Sequence, residues 1–203
     1  MTCLDSPLLL KYDEASMRIH DIFLKTWNLD SFLKQYSKNL SDPAFRLIIA
    51  SDGTITRTLQ VLHLCPIDLE VREQSNAHLD PEIAKYLEIS DPQKVISRKV
   101  WLKKAHQRLL YASTILTFSQ RDQKILKEIL LKEKPLGLLL EEYHLPSLKD
   151  KLTIGRLVHP GIAEGLGLAA ATELWARHYR LTIQDSIRAS VLEVFSPAAF
   201  RAD

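Results

Sequence analysis

Cysteine is almost missing from this chain: Cys3 and Cys65 are the only two in 203 residues. A disulfide framework is therefore not what holds the fold, and two separate thiols fit a reducing, cytoplasmic setting. Glycine is scarce too, with six residues, and none of them builds a GxGxxG turn or a Walker loop. GxSxG and HExxH are also absent. The seven histidines are scattered, and neither cysteine has a metal-like neighbour, so no cofactor signature is present. His106 and His144 fall in expected turns and read as solvated. A net charge of +2 gives no electrostatic case for nucleic acid or a membrane surface. No apolar run approaches the roughly 18 residues of a membrane span. The N-terminal MTCLDSPLLLKYDEAS lacks a basic start and soon meets Asp13 and Glu14, unlike a secretory leader.

What is present is core-forming material, 46% hydrophobic, enough for one domain over 1–203, with 1–50 as an N-terminal helical extension. Ile19, Ile22, Phe23 and Trp27 have helical spacing within Ser16–Leu29, and Phe32, Leu33 and Tyr36 continue it within Asp30–Leu40. Asp42-Pro43 supplies an N-cap and a first-turn proline. Asp52-Gly53-Thr54 breaks the chain before a helix to about His63. A strand is predicted over Ile67–Glu73, and a short helix from Asp80-Pro81 to Leu87. Lys94–Lys103 and Gln107–Phe118 read as a hairpin, Ser119–Lys132 as an amphipathic helix, and Pro135-Leu-Gly137 as a tight connection. Lys151–Val158, Glu173–Gln184 and Ile187–Phe195 are further strands, the last two joined at Asp185-Ser186. Neighbouring strands with helices set apart predict an α+β fold on an antiparallel sheet. His159–Ala171 holds three of the six glycines and reads either as a flap over a site or as a long, partly helical loop.

The strands carry charges on apolar faces, because alternate residues point the same way. Ile187, Ala189, Val191, Glu193 and Phe195 share one face. Ile96, Arg98, Val100 and Leu102 share another, with Ser97, Lys99 and Lys103 opposite. Trp175, Arg177, Tyr179, Leu181 and Ile183 form a third. Burying any one such charge alone costs roughly several kcal/mol. The pattern describes either a closed polar pocket or a structural buried ion pair, and spacing does not decide between them.

The order Arg98-Lys-Val-Trp-Leu, Lys134-Pro-Leu-Gly137, Ile154-Gly-Arg156, Leu174-Trp-Ala-Arg177 and Leu192-Glu-Val-Phe-Ser-Pro197 resembles the chorismate pyruvate-lyase family, over about Asp52 to Pro197. The wording around Lys99 is similar to the cyanobacterial and algal-plastid branch, in which the product feeds plastoquinone and the enzyme works in the cytoplasm or plastid stroma. The resemblance implies a six-stranded antiparallel sheet, a ligand buried under flaps, and cofactor-free conversion of chorismate to 4-hydroxybenzoate and pyruvate by a monomer. It places Arg98 on the ring carboxylate, Glu193 near the ring hydroxyl, and backbone amides around Ile55 and Leu136 in the carboxylate clasp. Whether Glu193 is a base or an anchor stays open. Where family members carry a second arginine for the pyruvyl carboxylate, a gap-free count from Arg98 lands on Ser113. Arg177 is the first candidate to replace it and Arg156 the second. The same fold also serves as an effector-sensing domain of transcription regulators. The residues before Asp52 are expected to be too few, and too poor in basic residues, for a winged-helix module. A lyase making another hydroxybenzoate isomer is the other rival.

Overall fold

In the computed structural model, residues 22–36, 42–90, 94–119, 122–131, 134–184 and 186–201 are described. Cys3, the N-terminal leader reading and the helix expected before Ile22 lie outside these residues, as does the end of the helix expected to Leu40. The elements run β1 (Phe23–Asn28), α1 (Leu29–Tyr36), α2 (Pro43–Ala50), α3 (Ile55–His63), β2 (Asp68–Asn76), α4 (Pro81–Leu87), β3 (Lys94–Lys104) and β4 (Gln107–Phe118). They continue with α5 (Gln123–Leu131), α6 (Leu136–Glu142), β5 (Ser147–Val158), α7 (Pro160–Gly165), β6 (Glu173–Ile183), β7 (Ile187–Phe195) and a 3-10 turn, Pro197–Phe200.

The seven strands form one antiparallel sheet in the order β1-β5-β6-β7-β4-β3-β2. Its middle is a seam. Strands β2, β3 and β4 form one meander, β5, β6 and β7 form another, and the β4–β7 pairing joins them. This is the α+β architecture expected, with one strand more than the six implied. The extra strand is β1, where helical spacing of Phe23 and Trp27 predicts a helix. Pairing with the edge of β5 satisfies its backbone instead, and Trp27 enters an aromatic cluster with Phe32, Tyr36 and Trp175. The edge admits β1 closely because Gly155 has no side chain: a Cβ there would stand 2.3 Å from Phe23 Cδ1. Tertiary packing overrides local periodicity here.

Both predicted proline-led starts are seen. Asp42 accepts from the Ala44 and Phe45 amides, and Asp80 from those of Glu82 and Ile83, which satisfies first-turn donors. On one face of the sheet, α1, α2 and α3 pack over Leu102, Leu110 and Phe195. Towards the other end of that face, α5 and α6 pack over Ile96, Leu116, Leu181 and Val191. The opposite face buries Trp101, Tyr111, Leu174 and Val194 under α7 and the turn after it.

The stretch His159–Ala171, one reading of which is a flap over the site, belongs to that opposite face. Its small residues serve close packing: a Cβ on Gly165 would meet the Trp101 ring at 2.6 Å. The expected tight connection at Pro135-Leu-Gly137 is the start of α6, and the strand expected from Lys151 begins four residues earlier. Cys65 is a free thiol.

Candidate functional site

Between the two helical layers on the first face lies a cavity of about 590 Å³. Arg98 of β3 points into it from the pleat face shared with Ile96, Val100 and Leu102, as alternation predicts. The residue is 5% exposed. Its Nη2 donates to the Lys134 carbonyl at 3.1 Å, and among the described residues Nε has no hydrogen-bond partner. Burial pushes this guanidinium down to about 10, so it still carries its charge near neutral pH. A buried cation with an idle donor and no carboxylate partner among the described residues suits an anionic ligand.

Two helix starts converge beside Arg98. Ile55 opens α3 and Leu136 opens α6, both border the cavity, and neither helix receives a side-chain cap. First-turn amides without caps offer hydrogen bonds to a carboxylate. Their closeness depends on Gly137, where a Cβ would stand 2.5 Å from Thr54 Cγ2 at the start of α3. Arg57 and Glu141, paired at 3.1 Å, tie the two helices together further along.

Glu193 of β7 borders the far side of the cavity. In the ladder it is two strands from Arg98, through Ala112 and Val100, and two residues along. That is a Cα separation of about 12 Å from strand spacing and rise, with small Ala112 as floor between. Both oxygens of Glu193 already have donors. Arg177 Nε donates to Oε2, and Tyr179 Oη donates to Oε1 at 3.0 Å. Burial and the Glu193 charge together hold the Tyr179 phenol well above its usual range.

Of the two open readings of the sequence, the structure therefore contains both. Arg98 faces a pocket, while Glu193 and Arg177 form the buried pair. Arg177, the first candidate for a second carboxylate, is wholly buried. Its Nη1 donates to the Ile48 and Ser51 carbonyls at 2.8 and 2.7 Å. It supports Glu193 from behind and does not border the cavity. Arg156 is also displaced from the role: it is half-exposed, paired with Glu173 and laid over the Trp175 ring. Ser113 falls on the wrong face. It pairs across the ladder with Lys99 and borders a second cavity of about 350 Å³, with Lys99, His159 and Ser190.

One cation in the first cavity is missed by the sequence reading. Lys149 projects from β5 to the cavity wall, half-buried, donates to the Gly53 carbonyl, and lies over the Tyr179 ring at 4.9 Å. Burial pushes its ammonium down to about 8, with Glu193 acting to raise it and Arg177 to lower it. The expected strand starts at Lys151 because the alternation breaks there: Lys151 has φ +54° and the β5–β6 register shifts between Asp150 and Thr153. Among the described residues, no three His, Cys, Asp or Glu side chains are grouped to hold a metal ion, and no helix is long and apolar enough to cross a membrane.

Residues 49–202 match the family model described as "Chorismate pyruvate-lyase Rv2949c-like". No curated protein matches the chain. Among solved structures, the effector domain of PhnF from Mycobacterium smegmatis is similar with a TM-score of 0.58 at 15% identity. That match covers 74% of this chain and 93% of that one. A ligand-binding domain assigned to the GntR regulator family, from Bordetella bronchiseptica, is similar with a TM-score of 0.55 at 17% identity, over 68% and 90% of the two chains. At such identity the likeness is one of fold.

Proposed function

The chain belongs to the Rv2949c-like chorismate pyruvate-lyase family, and from that premise we propose that it removes the enolpyruvyl group of chorismate to give 4-hydroxybenzoate and pyruvate. The observation that carries the proposal is the buried Arg98 guanidinium, facing a cavity with an unpartnered Nε, while a clamped carboxylate stands at the other end. A guanidinium fork matches a ring carboxylate, and the amides at Ile55 and Leu136 complete the clasp. Glu193 then accepts a hydrogen bond from the hydroxyl at the far end of the ring.

The chemistry makes modest demands on the protein. The ether C–O bond breaks with its electron pair leaving on oxygen. The hydrogen on the hydroxyl-bearing carbon is lost, and its bonding pair completes the aromatic ring. That hydrogen ends on the methyl group of pyruvate. Aromatisation drives the reaction, so the chain orients the substrate and stabilises the departing charge. Glu193, with donors already on both oxygens, suits an anchor better than a base. We place the protein in the cytoplasm, supplying a hydroxybenzoate for quinone synthesis, plastoquinone in the branch that the sequence resembles.

A second reading is favoured by the regulator effector domains of similar fold: ligand binding without turnover. Incubation of the purified protein with chorismate, followed by chromatography, separates the two. Equimolar 4-hydroxybenzoate and pyruvate are expected, with no metal or nucleotide added. Tight binding with chorismate left intact supports the sensing reading, and a different hydroxybenzoate reassigns the isomer.

A further inference from the structure

Chorismate is a dianion, and the clasp at Arg98 accounts for one carboxylate. We infer that Lys149 receives the other, on the enolpyruvyl side chain, and so sets specificity for substrate over product. The inference rests on the chorismate reading of this cavity.

Three observations carry it. Among the described residues bordering the cavity, the Lys and Arg side chains are Arg98 and Lys149, since Arg177 and Arg156 are engaged elsewhere. The Lys149 ammonium is also in the right sector. With the ring axis running from Arg98 to Glu193, the enolpyruvyl ether sits on the carbon next to the hydroxyl-bearing one. Its carboxylate therefore flanks the Glu193 end. Lys149 Nζ lies 4.9 Å from the Tyr179 ring centroid, and the Tyr179 hydroxyl donates to Glu193 at 3.0 Å. Finally, among the described residues this ammonium has no ion-pair partner, and Glu193 and Asp52 act on it only from longer range. It donates to the Gly53 carbonyl, and two of its three donors remain for a ligand. Burial presses it towards the neutral form, and an arriving carboxylate reverses that pressure.

In this position Lys149 holds the enolpyruvyl group while the ether bond breaks, and it faces the negative charge that grows on the departing fragment. 4-Hydroxybenzoate lacks that group, so the contact vanishes on turnover.

The test compares wild type, Lys149→Met and Lys149→Arg for kcat/KM with chorismate and for Kd of 4-hydroxybenzoate by calorimetry. Lys149→Met is expected to lower kcat/KM by about 30-fold or more, with 4-hydroxybenzoate affinity within about threefold. Lys149→Arg restores most of the loss. Unchanged product affinity also shows that the variant is folded. Equal losses for both ligands, or none for chorismate, overturn the inference. If wild type does not turn chorismate over, the lyase reading fails separately. Direct binding then decides: a Met variant that loses chorismate but keeps 4-hydroxybenzoate upholds the role of Lys149, and any other binding result overturns it.

Discussion

Arg98 and Lys99 are neighbours in β3, buried alike at 5% and 7% exposure, and they face opposite sides of the sheet. Lys99 meets Glu73 of β2 at 3.0 Å, a carboxylate that is itself half-exposed. Arg98 meets one carbonyl and leaves a buried donor idle. The face with the balanced cation also has a cavity, with serines and His159 around it. A cavity and a buried charge are therefore not enough to mark a site. What distinguishes the Arg98 side is that the charge is buried and has no counterion among the described residues. The Glu193–Arg177 pair makes the same point within one site, since there the chain supplies both partners.

The largest test of this contrast is Arg98→Ala. It should lower kcat/KM for chorismate by about 10³-fold or more, about 4 kcal/mol of transition-state stabilisation. Affinity for 4-hydroxybenzoate should fall with it. The ligand-free variant should melt no lower than wild type, because an uncompensated buried charge has been removed. A large loss of melting temperature without ligand would place Arg98 with the structural cations instead. Arg177→Met should do the reverse. It strands Glu193 in the interior and takes donors from the Ile48 and Ser51 carbonyls, so chemical denaturation should show a loss of about 3 kcal/mol or more in the absence of ligand. Adding Glu193→Gln should recover part of that stability, and non-additivity in the cycle measures their coupling. The smallest effect is expected for Lys99→Met. Its partner is half-exposed and stays hydrated when the lysine is removed, so the substitution should cost less stability than Arg177→Met and leave kcat/KM for chorismate within about twofold. A tenfold drop would give the second face a part in the reaction.

The facing of these side chains is legible in the sequence, because strand alternation needs no knowledge of neighbours. Arg98, Tyr179 and Glu193 all stand on the faces that alternation assigns. The Arg177–Glu193 contact also has a signal. Once β6 and β7 are a hairpin, Ile183 opposite Ile187 brings Arg177 opposite Glu193, but this register has to be counted and not just the faces read. Ser113 shows the cost of counting without faces, since an odd step along a hairpin changes side. Lys149 and β1 are not legible locally. The first lies beyond a left-handed residue that resets the alternation. The second is a strand because an edge of β5 waits for it, which is a property of the assembled sheet.

The seam between the two meanders has a consequence for how the protein comes into being. Each meander closes between segments near in sequence, and such pairings form early at small entropic cost. The β4–β7 pairing joins segments far apart, such as Ala112 and Glu193, and contacts of that range form slowly. Arg98 belongs to one meander; Glu193, Tyr179 and Lys149 belong to the other. A nascent or refolding chain can thus hold nearly all its strands and still have no binding site. Recognition appears only once this long-range pairing has formed, and a ligand gripping both halves selects the completed protein over its half-assembled forms.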